Sequence, residues 1–272
     1  MFCYGLGTEQ DYEKAFEWFE RSAKQKNKFA QFSLANLYYY GNGVEKDLSQ
    51  AFLWYQKSSA QGQPYASYAV AQMYSKGEYV SQGGETAQRY YKAALSGFLE
   101  LESMEQADDN LYYKLGSMFK KGLGTDIDMD RAIDYFKRSA EMNNKNGLYE
   151  YGKALLLGEH IPQDKEKAVK LLEKAIKLEN INAKRFLALE LISGEHLDQD
   201  IYKGLAMLTE CADSGDAFAC YKLGKIYFKG DIVLQDLDKA EKYLLSAEDN
   251  EFTQYACLLY TSDAADEARS VD

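Results

Sequence analysis

The chain has 272 residues, of which 46% are hydrophobic, and it contains only 2 Pro, 4 Cys and as many as 23 Tyr. This composition excludes a disordered chain and a disulfide-rich scaffold, and the longest apolar runs, such as "ALLL" at residues 154–157, are too short to span a bilayer. A net charge of −11 disfavours a general nucleic-acid binder, because such proteins need clustered Lys and Arg.

The first predicted element is a partial repeat, residues 1–29, in which residues 2–5 match the end of a helix whose beginning is missing. The N-terminus "MFCYGLGTEQ" has neither a basic nor an apolar region, so no signal peptide is visible, which slightly favours the cytoplasm. Because the sequence starts within a repeat, a signal could lie in the missing part, and the localisation stays open.

Three columns of residues recur in one register between Gly5 and Ala240. The spacings between successive members are 36, 36, 45, 36, 36 and 36 residues for a glycine and for a small residue ten positions later. An acidic residue precedes the small residue in every repeat but one, where Gly83 takes its place. The columns are Gly5, Gly41, Gly77, Gly122, Gly158, Gly194 and Gly230; Ala15, Ala51, Ala87, Ala132, Ala168, Gly204 and Ala240; and Asp11, Asp47, Asp128, Asp164, Asp200 and Asp236. Three columns that share one register predict an internal repeat.

Each repeat is predicted to be a pair of helices. The glycine suits the left-handed conformation that ends a first helix, and the acidic residue suits the N-cap of a second helix. Since one hairpin cannot bury its apolar face alone, residues 1–256 are predicted to form a single all-α solenoid with full repeats at about 30–65, 66–110, 111–146, 147–182, 183–218 and 219–254. The nine extra residues between Gly97 and Leu111 predict either a longer helix pair or an acidic connector.

The pattern fails at the end of the chain, where Tyr260 and Asp266 occupy the positions of the small residue and the glycine. The run "LLYTSDAADE" is similar to a translated adaptor sequence. Residues 257–272 are therefore interpreted as a non-native or a disordered tail, and the sequence as a fragment of a longer protein.

Two segments carry a family resemblance. "LANLYYYGNGVEKDLSQAFLWYQKSSAQG" and "YKLGKIYFKGDIVLQDLDKAEKYLLSA" resemble the Sel-one-like repeat (SLR), a relative of the tetratricopeptide repeat, and the resemblance extends over about residues 2–256. Gly204 instead of Ala and Gly83 instead of Asp depart from the family pattern. The resemblance implies a protein–protein interaction scaffold or adaptor.

Few residues are candidates for catalysis or metal binding. The two histidines, His160 and His196, are 36 residues apart in equivalent loops, and no third ligand recurs with them, so no metal site is predicted. No nucleophile is paired with a base, and the glycine-containing turns lack the Gly-Lys-Ser/Thr of a phosphate loop, so neither an enzyme nor a cofactor is expected.

Cys211 and Cys220 leave one alternative open. A cysteine-rich, secreted branch of the resembling family places disulfides between such helices, and some of its members are β-lactamase-like or penicillin-binding. The column of Cys211 otherwise holds the small residues that packing requires, which favours a buried free thiol over a disulfide.

In related helical repeats the first helices line a concave groove. The resemblance implies the same arrangement for this chain. Positions beside the core stripe are rich in aromatic and basic residues, the usual anchors of interfaces. The predicted partner-binding residues are Phe32, Tyr39, Tyr68, Tyr113, Lys120, Tyr149, Lys153, Arg185, Tyr221 and Lys225. The partner is expected to be a protein or a peptide with acidic or aromatic groups, and the chain a monomer without membrane insertion. The tyrosine column could instead be core, and aromatic grooves also bind glycans.

Overall fold

The computed structural model describes residues 10–247 of the chain. Within that range there are thirteen α-helices and no strand. The helices are α1 (Tyr12–Lys24), α2 (Lys28–Tyr40), α3 (Leu48–Ser59), α4 (Pro64–Lys76), α5 (Gly84–Ser103), α6 (Asp109–Lys121), α7 (Met129–Glu141), α8 (Lys145–Leu157), α9 (Lys165–Lys177), α10 (Ile181–Ser193), α11 (Ile201–Asp213), α12 (Ala217–Lys229) and α13 (Leu237–Ala247). The predicted tail at 257–272, the start of the partial repeat, Cys3 and Cys257 lie outside the described residues.

The helices pair as the sequence predicts, with the even-numbered helices as the first helices of the repeats and the odd-numbered ones as the second. α2 packs along α3 and α4 along α5, and α8, α10 and α12 pack in the same way along α9, α11 and α13. The chain divides into two compact units, one ending at Tyr135 and the other beginning at Phe136, within α7. The single domain over residues 1–256 stays a prediction.

Aspartates begin the second helices, as predicted. Asp47 Oδ1 accepts hydrogen bonds from the backbone N–H groups of Ser49 at 2.8 Å and Gln50 at 3.0 Å. Backbone bonds of this kind are the main reason why the pKa values of Asp11, Asp47 and Asp236 lie below their usual range. Each cap satisfies amides that have no partner inside the helix.

A further column of caps begins the first helices and was not recognised in the sequence. Its members are Asn27, Gln63, Asp108, Asn144, Asn180 and Asp216. Asn180 is only 3% exposed and accepts a hydrogen bond from the N–H of Ala183 at 2.9 Å. Its Nδ2 donates to the Lys145 carbonyl at 2.9 Å and to Asn146 Oδ1 at 3.0 Å, so the same side chain ties α10 to the start of α8.

Each first helix ends at the predicted glycine. From Gly41 to Gly230, all six described members of the column have φ between 65° and 73°, which places them in the left-handed region. Few side chains adopt this conformation without strain, which explains why glycine recurs there.

The nine-residue insertion mainly lengthens one helix. α5 has 20 residues, whereas the other helices have 11 to 13. In the other described second helices that a turn follows, a residue with positive φ lies two or three residues after the helix end, namely Lys26, Gly62, Asn143, Glu179 and Gly215. In α5 the equivalent position is Phe98, which is helical, and the positive φ occurs seven residues later, at Glu105. The remaining two residues extend the connection to α6, so the longer-helix alternative is confirmed.

Candidate partner-binding face

All ten predicted partner-binding residues lie on first helices, five in each compact unit, and the five residues of each unit are referred to below as its first-helix face. The members of the predicted tyrosine column, from Phe32 to Tyr221, are all half-buried rather than fully buried or exposed. They pack against neighbours and retain accessible surface, so they combine features of both interpretations left open by the sequence.

Three members of the first-helix face in the first unit line one cavity. Phe32 and Tyr39 of α2 and Tyr68 of α4 belong to a cavity of about 320 Å³, referred to below as the aromatic cavity. Its other lining residues are Asn36, Tyr40, Tyr55, Tyr65, Ala69, Gln72, Met73, Lys76 and Lys114. Tyr113 and Lys120 are half-buried on α6 and lie outside this lining.

The walls of the aromatic cavity are rings in edge and tilted contact. The ring of Phe32 lies 5.8 Å from that of Tyr55 and 6.1 Å from that of Tyr65. Phe98 of the lengthened α5 supports the wall from behind, with its centroid 4.9 Å from Tyr65 and 6.3 Å from Tyr68. Such contacts stabilise the rings beyond the effect of burial alone, so the wall is held in a defined arrangement.

Lys114 is the half-buried cation of the aromatic cavity, whose lining also includes the exposed Lys76. Its Nζ lies 4.2 Å from the centroid of the Tyr68 ring and 5.9 Å from that of Tyr65, which is cation–π distance. Burial lowers the pKa of Lys114 and is the only cause of that shift. Among residues 10–247, no carboxylate lies within ion-pair distance of this ammonium. The sequence did not single it out, because its column is mixed: Ser33, Ala69, Lys114, Glu150, Phe186 and Lys222.

Polar contacts fix the other side of the aromatic cavity. The Tyr55 hydroxyl donates to Asn36 Oδ1 at 2.6 Å, and the Tyr39 hydroxyl donates to Glu78 Oε2 at 2.8 Å. Burial and the nearby Glu78 carboxylate raise the pKa of Tyr39 to about 12. Lys76 Nζ lies 3.4 Å from the other oxygen of Glu78, so this lysine, unlike Lys114, has an acidic partner.

In the second unit, two members of the first-helix face share an aromatic neighbour. The Tyr149 ring meets Phe186 of α10 edge-on at 6.1 Å, and Lys153 Nζ lies 5.5 Å from the Phe186 centroid. The structure therefore places an aromatic–cation group on α8 and α10.

The remaining members lie around Phe218 at the start of α12. Arg185 forms an ion pair with Asp216 and lies 5.1 Å over the Phe218 ring. Tyr221, at 6.3 Å, and Lys222 Nζ, at 5.1 Å, also contact this ring. Tyr221 also packs against the core, and Lys225 is half-buried on α12. The charge of Arg185 is thus already neutralised within the chain.

The surroundings of Cys211, Cys220, His160 and His196 do not form a metal-binding group among residues 10–247. Cys211 and Cys220 are buried, free thiols, and burial raises the pKa of Cys211 to about 11. His196 Nδ1 lies 2.8 Å from Glu190 Oε2, and His160 is exposed. Across residues 10–247, no three His, Cys, Asp or Glu side chains form a metal-binding group. No helix in the same range is long and apolar enough to cross a bilayer.

Comparison with known proteins identifies the repeat. The Sel1 repeat family matches residues 1–27, 28–63, 64–97, 111–144, 146–180 and 217–251. Residues 181–216 lie outside these matches, although α10 and α11 have the same caps and terminal glycine as the other pairs. No curated protein sequence is significantly similar to the chain.

Solved structures show the same fold. A Sel1 repeat protein from Oxalobacter formigenes is 26% identical, with a TM-score of 0.63 over 88% of this chain and 94% of that one. A protective antigen of uropathogenic Escherichia coli with an SLR fold is 23% identical, with a TM-score of 0.54 over 92% of this chain and 52% of its own length. The chain thus spans about half of that antigen. The all-α repeat-solenoid class is confirmed, and the chain belongs to the Sel1 repeat family.

Proposed function

We propose that this protein is an interaction scaffold that binds a peptide or a protein partner on its first-helix face. Sel1 repeat proteins generally mediate protein–protein interactions. The observation that carries the proposal is the aromatic cavity, in which Phe32, Tyr39 and Tyr68 meet around accessible space. Aromatic rings that are rigidly held and still accessible are typical anchors of interfaces.

The charge of the face supports a partner with acidic groups. The whole chain carries −11, yet Lys114, Lys120, Lys153 and Lys225 all lie on first helices. Local positive charge on an acidic protein steers an acidic segment towards this face and away from the rest of the surface. We therefore expect binding to weaken as the ionic strength rises.

A catalytic role has no support in the same residues. The Sel1 repeat family is a non-catalytic repeat scaffold. A thiol acts as a nucleophile in its thiolate form, and the raised pKa of the buried Cys211 disfavours that form near neutral pH. The secreted, hydrolase-like alternative gains nothing from these free thiols.

A pair of charge-reversal variants tests the proposal. The first variant combines Lys76→Glu, at the rim of the aromatic cavity, with Lys120→Glu, on α4 and α6 of the first unit. The matched control combines Lys57→Glu and Lys92→Glu, which are exposed on the second helices α3 and α5 of the same unit. Affinity capture with the unmodified chain identifies a partner, and calorimetry then gives its Kd for each variant.

We expect the first variant to lose about tenfold or more in affinity, since interface anchors contribute more than about 1 kcal/mol each. The control should bind as the unmodified chain does, and all three proteins should keep the same helical content. Equal losses in both variants would show that only net charge matters, and no loss in either would remove the first-helix face of the first unit from the interface.

A further inference from the structure

Lys114 is a half-buried cation that lines the aromatic cavity, and its surroundings differ from those of Arg185 and Lys184. Arg185 pairs with Asp216, and Lys184 pairs with Glu210. Lys114 is half-buried too, but within residues 10–247 it forms no ion pair, and its Nζ faces the rings of Tyr65 and Tyr68 in the aromatic cavity. Lys222 likewise lies beside a ring, that of Phe218, but outside this cavity. Removing an ammonium from water without a partner is costly, and a cation desolvated in a cleft is therefore a candidate for a functional role.

Other donors accompany this ammonium in the aromatic cavity. The Oδ1 of Asn36 accepts the Tyr55 hydroxyl, which leaves the Nδ2 of Asn36 to donate. The amide of Gln72 lines the same space. An ionised carboxylate has only acceptors, and the ammonium of Lys114 and the amide NH2 groups of Asn36 and Gln72 are donors with which it can pair.

The volume of the aromatic cavity admits a side chain and excludes a whole helix. About 320 Å³ lies at the lower end of the volumes of ligand pockets, whereas a helix with its side chains is about 10 Å wide. Phe32, Tyr65 and Tyr68 supply flat apolar walls for methylene groups. Tyr40 and Lys76 of the same lining are exposed and form its rim.

We propose that the aromatic cavity receives the side chain of a single Glu or Asp from the partner, whose carboxylate pairs with Lys114. This inference rests on the proposed scaffold function and specifies its anchor. A side-chain carboxylate reaches the half-buried ammonium on one or two methylene groups while the partner backbone stays at the rim. A terminal carboxylate is attached directly to the backbone, which would then have to enter the cavity itself.

Peptide libraries test the inference without knowledge of the natural partner. The probes are acetylated and amidated nonapeptides with random flanks and a fixed central Glu, Asp, Gln or Ala, and a further library has a central Ala and a free C-terminal carboxylate. They are bound to the unmodified chain, to Lys114→Met, to Lys114→Arg and to the control Lys203→Met. Methionine keeps the length of the stem against Tyr68 but removes the charge, and Lys203 is exposed on α11.

We expect the unmodified chain and Lys203→Met to retain central Glu or Asp about tenfold over Gln. Lys114→Met should abolish this preference while it keeps residual peptide binding, and Lys114→Arg should preserve the preference. Circular dichroism checks that each variant is folded. In addition, ¹³Cε-lysine spectra of the unmodified chain should show a higher pKa for Lys114 when a Glu peptide is bound, a readout that needs no folded Lys114→Met.

The outcomes separate this inference from the scaffold function. If peptide binding does not depend on the central residue, or if the preference for a central acid remains in Lys114→Met, the Lys114 anchor is refuted. Neither outcome contradicts the proposed scaffold function. Preferential retention of the free C-terminal library likewise refutes the side-chain anchor. If no library binds to the unmodified chain, both the anchor and peptide binding by the first-helix face are refuted.

Discussion

Gly204 allows a test of how closely two helices approach each other. In the other repeats this column holds Ala, at Ala15, Ala51, Ala87, Ala132, Ala168 and Ala240. Restoring the family residue with Gly204→Ala would improve helix propensity by about 1 kcal/mol in an unhindered helix. On helix propensity alone, the substitution should therefore stabilise α11.

The structure predicts the opposite sign. A Cβ on Gly204 would lie 2.7 Å from the carbonyl oxygen of Ala188 and 3.1 Å from the backbone nitrogen of Ile192. These are backbone atoms of α10, so they cannot rotate aside as a side chain can, and the helix as a whole has to move. Overpacking of this kind costs about 1–3 kcal/mol. Because rigid atoms place the cost towards the upper end, we expect a net loss of about 1 kcal/mol.

A second return to the family pattern serves as the control. Gly83→Asp places the missing cap at the start of α5, where Gly83 has φ −147° and ψ 92°, close to the −139° and 101° of Asp47. A Cβ there would meet no atom closer than 3.7 Å. The cap and its favourable interaction with the helix dipole should stabilise the fold by about 0.5–1 kcal/mol.

Thermal and urea unfolding of the two variants measure both signs. A change of 1 kcal/mol corresponds to a shift of about 2–4 °C in Tm for a chain of this size. If Gly204→Ala melts at or above the temperature of the unmodified chain, α10 and α11 adapt without cost and the close approach is not imposed by this glycine. If Gly83→Asp also destabilises, the aspartate column does not stabilise the helix ends as inferred.

Three other predictions follow from buried polar groups. Asn180→Ala should lower the free energy of unfolding in urea by about 2–3 kcal/mol, because it removes a cap and leaves buried backbone groups unpaired. Cys211 and Cys220 should react with iodoacetamide at pH 8 only after unfolding, since both are buried and the pKa of Cys211 is raised to about 11. If the two cysteines instead formed a disulfide, the unfolded, unreduced chain would have two fewer reactive thiols. Burial and, after it, the neighbouring Glu78 carboxylate raise the pKa of Tyr39 from 10.0 to about 12. The stabilisation that Tyr39 contributes is therefore present below pH 10 and is lost towards pH 12. Tyr39→Phe should flatten this part of a stability–pH curve measured by urea unfolding.

Helix boundaries could be predicted from the sequence because their causes are local. A glycine that ends a helix and an aspartate that caps the next one act within a few residues of their own position. Gly41 and Asp47 therefore identify the end of α2 and the start of α3 before any tertiary structure is known. The cap column of Asn144 and Asn180 is equally local and could have been found by the same argument.

The aromatic cavity could be predicted only in part. Phe32, Tyr39 and Tyr68 follow from the repeat register, because equivalent positions of first helices share a face. Lys114 does not, since its column has no common chemistry and its burial depends on the helices packed around it. Propensity and spacing carry no information about which charged side chain a fold will desolvate.

The insertion explains why one repeat differs from the others. In a regular array, the position of Phe98 is the turn that ends the second helix, as at Gly62 and Gly215. Because α5 continues through this position, an aromatic ring stands where the other repeats have a turn, and it is fully buried against Tyr65 and Tyr68. A strictly periodic chain would offer the same surface at every repeat and no preferred site. The insertion thus places Phe98 against the wall of the aromatic cavity and makes this part of the first-helix face different from the other repeats.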